Sequence, residues 1–272
     1  MALVPSRDQT SLEPSDPDER NSHDDASNNE ESAGGKMSFL DHLNELRRRL
    51  IVSFVTLFVG LLICLGFIGP IFDFIMEPLT RVLPEDGMLV YTEPTEAFFL
   101  NIKMAALAGL LLSTPVIMSQ VWLFVAPGLY AHEKKFAIPF VILGTGFFVG
   151  GAVFAHYILF PIAWGFFASF GSDYMAFMPR IQPAFALYVR LVLACGVVFQ
   201  LPTVVLFLAR MGVVTHKLLI RNFKYAVLCI VIFGALLTPP DVVTQLMLAA
   251  PMLLLYVLSI GIAWLFEKPR TD

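Results

Sequence analysis

The chain has 272 residues, of which 57% are hydrophobic and 15% charged, against roughly 25% charged in an ordinary soluble domain. That balance excludes a soluble enzyme and a wholly disordered chain. The net charge of −4 hides an uneven division, with nine acids and three bases in residues 1–36 and 13 acids and 15 bases in the rest.

Residues 1–36 are acidic and rich in Ser and Asn, with almost nothing to bury, and are expected to form a disordered N-terminal tail. They lack the basic start and apolar core of a cleavable signal peptide. Six runs without Asp, Glu, Lys or Arg follow: Ile51–Phe72, Met104–Ala131, Phe136–Ser172, Leu191–Ala209, Tyr225–Pro240 and Val242–Phe266. A bilayer-spanning helix needs about 20 mostly apolar residues. The reading is an all-α polytopic membrane protein, a domain over 37–268 with six transmembrane helices. The spans fall at about 51–72, 97–126, 137–168, 187–209, 225–238 and 243–265.

Ahead of the first span, Leu43, Leu46 and Leu50 give an amphipathic helix lying at the interface. The first outer segment, 73–96, holds Pro78, Pro84, Asp86-Gly87 and Pro94, and the second, 171–186, holds Pro179 and Pro183. Their Phe, Leu and Met content predicts short interfacial helices or caps. Eleven Lys and Arg residues lie near span ends on one side and four on the other. This bias places both termini in the cytoplasm. In the fifth span, Tyr225–Leu237 runs 13 residues before Pro239-Pro240. That is about 20 Å of helix against about 30 Å of hydrocarbon, so either the bilayer thins there or a depression is left on the outer side. Asp241 follows and is placed to cap the last helix.

Internal prolines at 115, 161, 202 and 251 are expected to bend or break their helices, giving a bent, concave bundle. Gly146 and Gly150 form a GxxxG, which permits close approach of a neighbouring helix. Cys64, Cys195 and Cys229 each sit in an apolar run without metal or redox spacing, and are read as small buried hydrophobes. No nucleotide-binding loop, metal set or nucleophile elbow is present. The chain is therefore read as no enzyme, with no cofactor, no metal and no nucleic-acid partner.

The informative residues are polar groups in or beside the spans, since burying them costs several kcal/mol. Gln200 lies mid-way along span four and is read either as a packing hydrogen bond or as a polar partner for another chain's helix. His156 is read as a packing or interfacial histidine, and Lys103, with Glu96 at the outer end of span two, as snorkelling. Glu45 precedes span one and Glu133 follows span two. Either they are solvated partners of nearby bases, or they are two carboxylates on one face that grip a cationic ligand.

The segments His42–Leu50, Pro78-Leu79, Gln120–Glu133, Phe154–Pro161, Phe199–Pro202 and Leu237–Gln245, with Thr-Pro-Pro-Asp at 238–241, occur in an order that resembles the TatC family. TatC is the multispanning subunit of the twin-arginine, Sec-independent protein translocase. The resemblance runs over 37–266 and leaves out the acidic tail. It implies a cupped, glove-like bundle of six helices with short fifth and sixth helices, in the cytoplasmic (inner) membrane. It implies a receptor for twin-arginine signal peptides on folded cargo. That receptor is also the assembly platform for single-span subunits of the TatA and TatB type, in a multi-copy complex driven by the proton-motive force and embedded in membrane lipid. By motif, Glu45 and Glu133 match the acids of the arginine-recognition patch, and Leu46, Arg47 and Phe124 match its neighbours. Pro78 matches an outer-loop proline and Asp241 the acid of the last outer loop. Thr238 and Gln245 match polar positions where partner helices dock. Two positions depart from the family pattern. Gln200 stands where Glu is frequent and cannot ionise, and His156-Tyr157 replaces a frequent Tyr-Phe pair. The rival reading is a small-solute or ion transporter, which would show repeat symmetry and ionisable groups at mid-membrane. No clear internal repeat is present.

Overall fold

The computed structural model describes residues 43–83, 89–125, 137–170, 178–237 and 242–266. The chain divides into two units, Met1–Arg48 and Arg49–Asp272. Of the first, residues 43–48 are described and are helical. The described residues are helical throughout, apart from turns and one isolated β-bridge. In chain order the helices are α1 (Leu43–Gly66), α2 (Ile68–Thr80), α3 (Pro94–Val125), α4 (Ala137–Phe154), α5 (Phe160–Ala168), α6 (Ile181–Val198), α7 (Leu201–Arg210), α8 (His216–Arg221), α9 (Phe223–Leu237) and α10 (Val242–Phe266).

Among the described residues, five helices are long and apolar enough to cross a membrane: α1, α3, α4 continuing into α5, α6 continuing into α7, and α10. α9 is the sixth apolar helix. Its 15 residues reach about 22 Å, short of the roughly 30 Å hydrocarbon core. The expectation of a short sixth helix is corrected: α10 has 25 residues, about 37 Å. Apolar residues run on from Val242 to Phe266, and Pro251 is held inside the helix with one backbone bond lost. At the other end of the chain α1 stops at Gly66. Gly66, Gly69 and Pro70 are poor helix residues, and Phe67 takes φ −115°, ψ 28°. α2 then begins at Ile68, inside the stretch expected to belong to the first span, and runs on to Thr80 in the first outer segment, with Ile75, Met76, Pro78 and Leu79 buried.

α6 supplies the centre of the core. Tyr188, Leu191, Val192 and Cys195 belong to a buried apolar cluster to which α2, α3, α4 and α10 also contribute. Two crossings of small residues set the closest approaches. A Cβ on Gly151 of α4 would stand 2.6 Å from the Cys195 carbonyl oxygen of α6, and a Cβ on Gly109 of α3 would stand 2.6 Å from the Leu61 backbone nitrogen of α1. The Gly146/Gly150 pair does not make such an approach, since a Cβ on either would meet nothing within 4 Å outside its own helix. The neighbour meets Gly151 and Gly144 instead, which share a face because seven residues bring a helix round nearly two turns.

The four prolines differ in effect. Pro115 and Pro251 are carried inside helices. Pro202 follows the turn at Phe199-Gln200 that separates α6 from α7, and Pro161 follows a π-helical turn at Ala155–Leu159. Along this third span the buried positions come in pairs at intervals of four: 151/152, 155/156, 159/160 and 163/164. A regular α-helix turns about 400° in four residues and drifts off such a stripe. The wider i→i+5 turn takes up a residue and keeps the stripe in line.

Candidate functional site

At the start of α1, Leu46 and Arg47 are exposed and Glu45 is half-buried. Glu133, Thr238 and Asp241, three of the expected site residues, lie outside the described residues. Near the far end of α3, Trp122 stacks on Phe140 of α4 at 4.6 Å and meets Phe207 of α7 edge-on at 5.0 Å. This aromatic knot joins three spans beside Phe124, which is half-buried. The Arg49 guanidinium stands 3.5 Å from the Gln120 side-chain oxygen, at the limit of a hydrogen bond.

Gln200 sits in the α6–α7 turn, where its Nε2 donates to the Gly144 carbonyl at 2.8 Å. A Cβ at Gly144 would stand 3.3 Å from Gln200 Oε1 and 3.6 Å from Trp122 Nε1. The absence of a side chain at 144 therefore lets Gln200 reach a backbone acceptor inside the chain. Gln245 makes a similar inward contact, its Nε2 donating to the Val231 carbonyl of α9 at 3.1 Å. Both amides thus tie neighbouring helices together. Gly212, at φ 74°, closes α7 in the left-handed conformation that favours glycine. The Thr215 hydroxyl then accepts from the Leu218 N–H at the start of α8.

At the opposite end, Pro78 is buried in α2. Phe74 stacks on His156 with centroids 4.3 Å apart and planes 11° from parallel. His156 Nδ1 lies 3.0 Å from the Tyr188 hydroxyl. A cleft of about 140 Å³ beside it is lined by Glu77, Pro78, Arg81 and Tyr157, with Glu77 and Arg81 paired at 2.6 Å. The histidine therefore holds α2 and α6 to the π-turn.

Glu96 has a role beyond its place at the end of span two. Its Oε2 accepts from the Thr92 N–H at 3.0 Å and the Glu93 N–H at 3.4 Å, capping α3, whose first residue is Pro94. The signal is legible in Thr92-Glu93-Pro94-Thr95-Glu96: proline at the first helical position, a carboxylate two further on. Just before the cap, the Val90 N–H donates to the Pro179 carbonyl at 3.2 Å and the Ile181 N–H to the Val90 carbonyl at 3.0 Å. Arg180 adds a bond to the Thr92 hydroxyl at 2.5 Å. The two outer segments are thereby fastened to each other at the starts of α3 and α6.

A set of membrane-length apolar helices, tied by amide-to-backbone bonds and glycine crossings, defines a polytopic α-helical membrane protein. A family model for TatC, the Sec-independent protein translocase protein, matches residues 41–251. The chain is 43% identical over 235 residues to the Sec-independent protein translocase protein TatC of Desulforapulum autotrophicum, covering 86% of this chain and 87% of that one. It is 42% identical over 231 residues to the TatC of Helicobacter pylori strain J99, covering 85% and 90%. A crystal structure of the twin arginine translocase receptor TatC superposes with a TM-score of 0.73 at 34% identity, over 82% of this chain and 97% of the other. A second, in the detergent DDM, gives 0.75 at 35% identity over 82% and 99%. The chain belongs to the TatC family.

Proposed function

We propose that this protein is the receptor for twin-arginine signal peptides and the assembly platform of a translocase that exports folded proteins by the proton-motive force. The observation that carries this reading is the joint match of sequence and fold to the TatC receptor over 82% of the chain. The apolar helices and the basic bias of the span ends favour a multi-pass protein of the cytoplasmic (inner) membrane, with both termini in the cytoplasm. In this reading the six-span domain, 37–268, carries the activity and the acidic tail, 1–36, lies outside it. The role is binding and assembly, not catalysis. The partners are signal peptides on folded cargo, single-span subunits of the TatA and TatB type, further copies of the chain and membrane lipid.

Recognition rests on Glu45 and Glu133, with Leu46, Arg47 and Phe124 beside them. A twin-arginine peptide offers two guanidinium groups that are always charged and match carboxylates in geometry. Thr238 and Gln245 serve partner helices, Gln200 is a polar contact within the membrane, and Pro78 and Asp241 act in the outer loops. The test is peptide binding to purified protein in nanodiscs. Each charge-assisted contact contributes roughly 1.5–3 kcal/mol. Glu45→Ala or Glu133→Ala therefore lowers affinity by about ten- to a hundredfold, and raised salt weakens binding further. Full-strength, arginine-dependent binding by the double variant would sink the assignment.

A further inference from the structure

A groove of about 1140 Å³ opens between α1, α3 and α6. Its walls are apolar, with Phe54 and Phe58 from α1, Leu107 from α3 and Leu193 from α6. Three charged side chains also line it: Glu96, Lys103 and Arg190. Glu96 is engaged by the two backbone N–H groups of its helix cap. Lys103 and Arg190 have no ion pair or hydrogen bond among the described residues, and both are exposed.

By helix rise the two cations fall at about the same level. The backbone bridge between Val90 and Arg180 fastens the starts of α3 and α6 side by side. Lys103 is nine residues beyond Pro94 and Arg190 nine beyond Ile181, about 13.5 Å along each helix. α3 has 32 residues and the α6–α7 span 30, so they are about 48 and 45 Å long. Centred on a hydrocarbon core of about 30 Å, each projects about 8 Å at either end. The Cα atoms of Lys103 and Arg190 then lie about 6 Å inside the hydrocarbon. From there their side chains reach back to the level of the head groups.

We propose that this groove is a phospholipid-binding site, with the lipid phosphate held between Lys103 and Arg190 and its acyl chains lying against the α1, α3 and α6 walls. Two like charges converging on one groove at head-group depth call for an anion there, and the apolar walls below call for hydrocarbon. A phospholipid joins both in one molecule. A partner helix fits less well. It meets the apolar walls, but only a helix carrying its own carboxylate at that depth would answer the two cations. The site would seat a lipid as part of the receptor.

The full-length protein, purified in detergent, is titrated with dioleoylphosphatidylglycerol and followed by native mass spectrometry and thermal unfolding. Dioleoylglycerol, which lacks the phosphate, and glycerol phosphate, which lacks the chains, are run beside it. The expected result is saturable binding and stabilisation by the phospholipid alone. A K103Q/R190Q double variant loses about tenfold or more in affinity, the size of one charged contact. Ala186→Trp, which fills the groove without touching the charges, also loses binding, while Lys217→Gln on α8 leaves it unchanged. A photocrosslinker at Ala186 in native membranes captures lipid. Undiminished binding in both groove variants, or glycerol phosphate matching the phospholipid, would overturn the proposal. So would a crosslinker that captures a polypeptide and no lipid.

Discussion

α6 and α1 are both apolar helices of membrane-spanning length, yet they are held in different ways. Half of the most hydrophobic window of the α6–α7 span is buried inside the protein, against 11% of that of α1. α6 touches helices on several sides and carries the core. α1 is fastened to α3 by the Gly60–Gly109 crossing and by the Ser113 hydroxyl, which donates to the Thr56 carbonyl at 3.0 Å. Hydropathy is the same in kind along both helices. What separates them is the number of faces that meet protein, and a groove can open only beside the helix that leaves faces unused.

The comparison is broken most severely at the centre. Gly151→Val forces a branched side chain against the Cys195 carbonyl, where neither α4 nor α6 has room to move. The cost is expected at or above the top of the ~1–3 kcal/mol range for overpacking, with loss of the thermal unfolding transition of the purified protein. Gly109→Val makes the same clash at the rim. There α1 shifts instead, so the loss stays within about 1–3 kcal/mol, and hydrogen exchange rises along α1 while α6 remains protected. If exchange rises equally in both helices, the rim is no looser than the centre. Gln200→Leu removes one half-buried amide bond, expected to contribute about 0.6–2 kcal/mol. Lower stability of the isolated chain marks it as packing within the bundle. Unchanged stability with weaker assembly marks it as a partner contact. Gly146→Ala meets nothing within 4 Å and should be neutral, or should gain up to about 1 kcal/mol of helix propensity in the same unfolding measurement.

What could be read from the residues alone follows a physical line. The short α9 was legible because Pro239-Pro240 punctuates an apolar run, and punctuation is a local property. The glycine contact was half legible: small residues on α4 announced a close approach, but only the packed partner decides that Gly151 meets α6 and Gly146 does not. Glu96 as a helix cap stands in plain view in the run from Thr92 to Glu96, where a charge at a span end reads first as snorkelling. The Gln200–Gly144 bond joins residues 56 apart, and no periodicity carries such a pairing. The level placement of Lys103 and Arg190 depends on a bridge between two outer segments. The sequence shows those segments as separate loops.

The π-turn at Ala155–Leu159 has a consequence for the gene. Elsewhere in this span, deleting one codon replaces regular helix with a register error. Here it deletes the surplus residue and leaves a continuous α-helix with its backbone bonds intact. The outer stretch, 160–168, would then keep its rotation, because the buried positions fall at intervals of four, three and four, the period of a regular α-helix, and Phe160 and Trp164 stay on the buried stripe. The π-turn is therefore the one place in this span where a lost residue is absorbed, whereas a loss from the regular helix turns everything beyond it by about 100°. Cysteine accessibility scanned along 160–168 would record an unchanged pattern for a deletion within 155–159 and a rotated one for a deletion within 140–150.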